Sequence, residues 1–120
     1  WPFLLLRILG ESHNEVFRIT EKEHRKGTSY ANKYLVMYVL ENGTGQNRLG
    51  ISVSKKVGNS IVRHRLTRLI RESYRLQEER FRCGLDIIVI ARIGAKGKGY
   101  KEIVGAMLHL AHLHKIIDEG

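Results

Sequence analysis

LGISVSKKVGNSIVRHRLTRLIRESYR, residues 49–75, places a strand, a turn and a helix in immediate succession, and its reading decides the fold. Leu49, Ile51 and Val53 alternate with Gly50, Ser52 and Ser54, which predicts a strand over 48–54 with apolar residues inward and small ones outward. KKVGN, residues 55–59, reads as the turn. Gly58-Asn59 reads as a helix start, since Asn can cap free amide N–H groups and no Pro interrupts the run to Arg75. Advancing about 100° per residue groups Val62, Leu66, Leu69, Ile70 and Ser73 on one side. His64, Arg68, Arg71 and Arg75 fall on the opposite side, flanked by Arg63 and Arg65. One face is predicted buried and the other a cationic ridge. Within residues 48–75 there are eight Lys/Arg and one acid, Glu72, in a chain whose net charge is +9. A merely solvated helix face usually mixes signs for i,i+4 pairing. Charge this concentrated and this one-sided favours a polyanion, nucleic acid first.

Upstream, KYLVMYVL (33–40) has the length, β-branched content and aromatics of a strand buried on one face, with Tyr34 and Tyr38 pointing the same way. Tyrosines on a sheet beside a basic groove can stack unpaired bases. ENGTGQN (41–47) has Asn-Gly turn chemistry, so the strands on either side are expected to be antiparallel neighbours. Residues 27–29 read as a turn. Residues 11–26 read as a short helix with Ser12 as cap and Glu15 three positions on, turning Val16 and Ile19 inward. WPFLLLRILG (1–10) is assigned no function; it is a boundary segment or one that packs on the sheet.

Downstream, residues 78–84 form a polar exit with a Gly stop. LDIIVIA (85–91) is a near-continuous apolar run, expected for a central strand covered on both faces. RIGAKGKG (92–99) is a loop with three Lys/Arg and no acid, and it lacks the spacing of a P-loop. Residues 100–117 read as a final helix with a broad apolar side. The expected architecture is a small single-domain α+β sandwich over 1–120, with helices on one side of a mixed sheet.

Composition narrows the function classes. A sequence that is 42% hydrophobic is globular, and a pI near 10 suits nucleic acid or an anionic membrane surface. No apolar run approaches the roughly 20 residues needed to span a bilayer. The one cysteine, Cys83, makes neither an internal disulfide nor a cysteine-based metal cage, which suits a reducing cytoplasm. His109, His112 and His114 invite a metal reading, but no nearby carboxylate or Cys completes a tetrahedral set. The acids are scattered, so no self-sufficient catalytic site is read, and an autonomous nuclease is disfavoured.

Residues 48–75 also resemble the signature of the bacterial ribonuclease P protein subunit. In that family a strand ending in S-x-S-K-K, here Ser52 to Lys56, leads through a Gly-Asn turn to a helix beginning R-N-R, here Arg63-His64-Arg65. The resemblance covers residues 27–117 and leaves 1–26 as a divergent segment. His64 stands where the family usually has Asn, and Thr67 where a basic residue is common. Thr20 and His24 stand where an N-terminal helix of the family carries an aromatic pair. The resemblance implies an unusual left-handed βαβ crossover. It also implies a ribonucleoprotein whose RNA cuts the 5′ leader from precursor tRNA, using Mg2+ bound mainly by that RNA. On that reading Arg48, Lys55, Lys56, Asn59, Arg63, His64, Arg65, Arg68 and Arg71 bind RNA, and Tyr38, Ser52, Ser54 and Tyr34 face the leader. No catalytic or metal-binding residue is expected in the protein. The expected partners are the catalytic RNA and precursor tRNA, with no membrane and no obligate protein partner. The alternative is a general or ribosomal-type RNA-binding protein without a processing role.

Overall fold

The most apolar strand takes the middle of the sheet. In the computed structural model, which describes residues 3–9, 14–20 and 27–117, Leu85–Ala91 is buried at every position but Ile90. The strands are β1 (Phe3–Leu9), β2 (Asn14–Thr20), β3 (Thr28–Ala31), β4 (Leu35–Glu41), β5 (Arg48–Ser52) and β6 (Leu85–Ala91); the helices are α1 (Ser60–Gln77) and α2 (Tyr100–His114). The sheet runs β2-β1-β5-β6-β4-β3. β5 and β6 pair in parallel and the other neighbours antiparallel, giving the expected mixed α+β sheet. Parallel neighbours need a crossover, and α1 supplies it.

This order corrects the expectation that β4 and β5 are neighbours, because β6 lies between them. Inserting one strand separates β4 from β5 by about 9.6 Å, a gap that residues 42–47 span easily. The loop is held by side chains instead of a hairpin ladder. Asn42 Nδ2 donates to Gln46 O (2.9 Å) and to Asp86 Oδ1 (3.0 Å), while its Oδ1 accepts from Thr44 N (2.9 Å). Asn47 crosses to the other chain segment, donating to Arg82 O (2.8 Å) and accepting from Leu85 N (2.9 Å). Gly84 adopts φ +82°, and a Cβ there would meet Thr44 O at 2.7 Å, so only glycine lets the two loops cross this closely.

Two further expectations change. Asn14–Thr20 is a strand, not part of a helix: it pairs with β1 over seven residues, and its Val16, Ile19 and Thr20 suit a ladder. Cap-like residues misled the helical reading; Ser12 and His24 lie outside the described residues. The expected turn at 27–29 runs into β3, and the reversal falls later, at Asn32. There Oδ1 accepts from Tyr34 N (3.1 Å) and Leu35 N (2.9 Å), so β4 starts at Leu35 and not at Lys33. β1 is a paired strand within the sheet, between β2 and β5, and not a segment packed on it.

Both helices cover one side of the sheet. Leu35, Met37 and Val39 of β4, Leu49 and Ile51 of β5 and Leu85, Ile87 and Val89 of β6 share a single core with Leu66 and Ile70 of α1 and Ile103, Met107 and Leu110 of α2. α2 ends at His114, three residues before the expected limit, where Lys115 turns left-handed (φ 59°). Ile116 and Ile117 then return to the core, and Ile117 bridges to Phe81. His114 ties helix to sheet: one ring nitrogen lies 2.9 Å from Met37 O and the other 2.9 Å from Thr28 Oγ1, with Tyr30 edge-on at 4.7 Å.

Candidate nucleic-acid interface

The cationic ridge begins in the turn after β5. Val57 N donates to Ser54 O (3.1 Å), closing a four-residue turn whose last member, Val57, is buried. Lys55 and Lys56 occupy its two central positions and are thrown out to solvent with Ser54. Asn59 then caps α1, its Oδ1 accepting from Val62 N at 3.0 Å as the sequence predicts. The capped helix buries Leu66, Ile70, Ser73 and Tyr74, while His64, Arg65, Arg68, Arg71 and Arg75 are exposed and Arg63 is half-buried.

These cations are not equivalent. Arg75 is paired with Glu72 through two contacts (2.8 and 3.2 Å), which lowers the Glu72 pKa and raises that of Arg75. Arg65 donates from Nη1 to Lys98 O (2.9 Å), pinning the 92–99 loop against the start of the helix. Arg63 Nε is covered and has no acceptor among the described residues. An orphan donor costs about 1–3 kcal/mol, so this side chain gains by rearranging onto an anion. Thr67 donates its hydroxyl hydrogen to Arg63 O (2.8 Å), one helical turn back. Arg68 and Arg71 make no ion pair among the described residues, and neither does His64.

The opposite side of the sheet, away from α1 and α2, holds a second, smaller apolar cluster centred on Ile88. Cross-strand register sets Tyr38 beside Ile88 and then Gly50, Val36 beside Ile90 and then Ser52, and Leu40 beside Asp86 and then Arg48. Ile88 is fully buried there, with the half-buried Tyr38, Leu40 and Ile90 packed against it, so a partly exposed apolar strip runs from Tyr38 on β4 across Ile90 to Ser52 on β5. Arg48 closes one end of the strip. Its Nε donates to Asp86 Oδ1 (2.7 Å) and its Nη2 to Oδ2, a two-armed pair with an almost buried carboxylate that also accepts from Asn42. Nothing in the linear pattern marks Asp86 as its partner; parallel register of two distant strands brings them together.

Tyr34 is not on this strip. It sits in the bend before β4, where strand alternation does not yet hold, and packs against the core on the helix side, corrected from the shared direction expected with Tyr38. Of the residues expected to face the leader, then, Tyr38 and Ser52 share the sheet side opposite α1 and α2, with Ser54 just beyond the end of β5. Tyr34 lies near Arg65 and the basic loop. The loop cations Arg92 and Lys98 are part of the same surface, which the sequence marks only through the loop's lack of acids.

The sequence model of the family described as "Ribonuclease P" matches residues 16–115. The chain belongs to the ribonuclease P protein family. It is 65% identical over 97 residues to the ribonuclease P protein component of Lachnoclostridium phytofermentans, covering 81% of this chain and 84% of that one. Among solved structures, the ribonuclease P protein of Staphylococcus aureus superposes with a TM-score of 0.74 at 36% identity, covering 82% of this chain and 90% of its own. That of Thermotoga maritima gives 0.68 at 30%, covering 74% and 84%.

The remaining candidates resolve simply. Among the described residues no three His, Cys, Asp or Glu side chains cluster as metal ligands. His114 is engaged with Met37 and Thr28, and His109 Nδ1 lies 3.3 Å from Asn32 Nδ2. Cys83 is exposed. No helix among the described residues is long and apolar enough to cross a membrane.

Proposed function

We propose that this chain is the protein subunit of a ribonuclease P particle, holding the catalytic RNA with the α1 ridge and the 5′ leader of precursor tRNA with the side of the sheet opposite α1 and α2. The observation that carries this reading is the division of labour across the β5–α1 unit. A short strand ends in a lysine turn, and its continuation presents arginines on one side while the strand itself borders an aromatic strip on the other. Lys55, Lys56, Arg63, Arg65, Arg68 and Arg71 would take phosphates, and His64 adds a donor. Tyr38 would stack an unpaired leader base, while Ser52 and Ser54 leave room for its backbone. Asn59 acts through the helix start it caps. Arg48, held beside Asp86, would meet RNA at the end of the strip.

In this reading the chemistry resides in the RNA. Mg2+ held by that RNA would supply the activated water and charge neutralisation of phosphodiester cleavage. The protein's contribution is positive potential that draws two RNAs together, which lowers the Mg2+ concentration needed for their encounter.

The decisive experiment is precursor-tRNA cleavage at low Mg2+ with a bacterial ribonuclease P RNA, with and without the protein, beside a protein-alone control. Strong stimulation only when both are present is expected. Tight RNA binding without stimulation would replace this reading with that of a general RNA-binding protein, and cleavage by the protein alone would make it a nuclease.

A further inference from the structure

Beyond the ridge and the Tyr38 strip, two lysines flank one half-buried aromatic ring, and two arginines are fastened to the backbone beside them. Lys33 Nζ lies 5.2 Å and Lys98 Nζ 5.7 Å from the Tyr34 ring centroid. Arg65 reaches the Lys98 carbonyl (2.9 Å) and Arg92 reaches the Asn32 carbonyl (2.7 Å), so both guanidiniums are fastened to the backbone that carries the lysines. The platform is rigid. Arg92 N donates to Tyr34 O (2.8 Å), and a Cβ on Gly94 would meet Lys33 O at 2.5 Å, so the two segments touch backbone to backbone.

Like charges held this closely repel, and cation–π attraction at an exposed site, about 0.5–1 kcal/mol, offsets little of that. Among the described residues no carboxylate pairs with Lys33, Arg65, Arg92 or Lys98; the nearest acid along the chain, Glu102, is turned onto Gly99 N (3.0 Å). Packing has therefore assembled, beside an aromatic ring, a positive cluster with no carboxylate partner among the described residues. Arg65 is common to this cluster and to the α1 ridge, so one polyanion can run across both. A free phosphate would need the cations but not the ring; a single-stranded nucleotide uses both.

We propose that Tyr34, Lys33 and Lys98 form a second RNA station, which takes one unpaired nucleotide of the strand leaving the amino-terminal end of α1, its base against the ring and its phosphate against the lysines. This rests on the RNA-binding role proposed above and extends it away from the leader strip of Tyr38. It also gives the 92–98 loop a function.

Binding of a bacterial ribonuclease P RNA, measured across a salt series, tests it with Tyr34→Leu, Tyr34→Phe and the double variant Lys33→Ala/Lys98→Ala, urea midpoints confirming that each folds. Tyr34→Leu should weaken binding about 5- to 100-fold with little change in salt slope, while Tyr34→Phe should bind like the parent. The lysine pair should flatten the slope of log K against log salt by about 0.7 per lost contact. Wild-type affinity in both Tyr34→Leu and the lysine pair overturns the station. So does equal loss in Phe and Leu, which would assign the effect to the hydroxyl, and so does a lysine effect without a Leu effect, which would leave a simple phosphate contact. If the unaltered protein fails to bind the RNA, the function proposed above fails with it. If it binds and Arg68→Ala/Arg71→Ala weakens it while the station variants do not, the station alone is wrong.

Discussion

Single side chains carry distinct burdens in this fold. Asn59 is a helix cap first, whatever else it touches. Asn59→Ala should cost about 1 kcal/mol of stability, read as a lowered urea midpoint, whereas Asn59→Asp should retain most of the cap. His114 makes stability depend on pH. Burial pushes its pKa below the usual 6.5, and the bond to the Met37 carbonyl only partly offsets this. The folded protein thus binds a proton at His114 less readily than the unfolded chain does. Its contribution is complete above about pH 6.5 and is lost as pH falls below that value. Urea midpoints taken from pH 7.5 to 5 should decline, and His114→Gln should decline less steeply over the same window.

At the scale of the element, α1 separates stability from binding by its two sides. Ile70 is fully buried, and Ile70→Ala should destabilise the protein by about 2–5 kcal/mol. Its neighbour Arg71 is exposed. Arg71→Ala should change stability by no more than about 0.5 kcal/mol, yet reduce the salt slope of RNA binding by about 0.7–0.9. Equal effects of both substitutions on the urea midpoint would contradict the two-sided helix. The α1 pattern was legible because helical periodicity is a local property: Leu66, Ile70 and Ser73 read as inward and are buried, and Arg68 and Arg71 read as outward and are exposed. β4 was legible from Leu35 onward for the same reason. Tyr34 was not, because alternation fails one residue before the strand begins.

On the scale of the whole molecule, the central place of β6 makes the sheet depend on the chain's last third. β4 and β5 do not pair with each other; both pair with β6. A fragment ending at residue 84 leaves two strands without a shared neighbour and removes the most buried strand of the sheet. Such a fragment should show no cooperative thermal transition by circular dichroism. A cooperative melt would mean that β4 and β5 can pair directly, as the loop chemistry of 41–47 had suggested.

Sequence alone determined the element types from 35 to 114, the capped start of α1, the central rank of β6, the one-sided charge and the family resemblance. Each follows from interactions between residues close in the chain, or from composition. Tertiary structure decided the rest. It inserted β6 between β4 and β5, built β2 where cap-like residues suggested a helix, coupled Arg48 to Asp86, drew Lys33 and Lys98 to the Tyr34 ring, and tied Arg92 to Asn32. Those outcomes depend on which distant segments share backbone hydrogen bonds and buried area, and no local pattern records that choice.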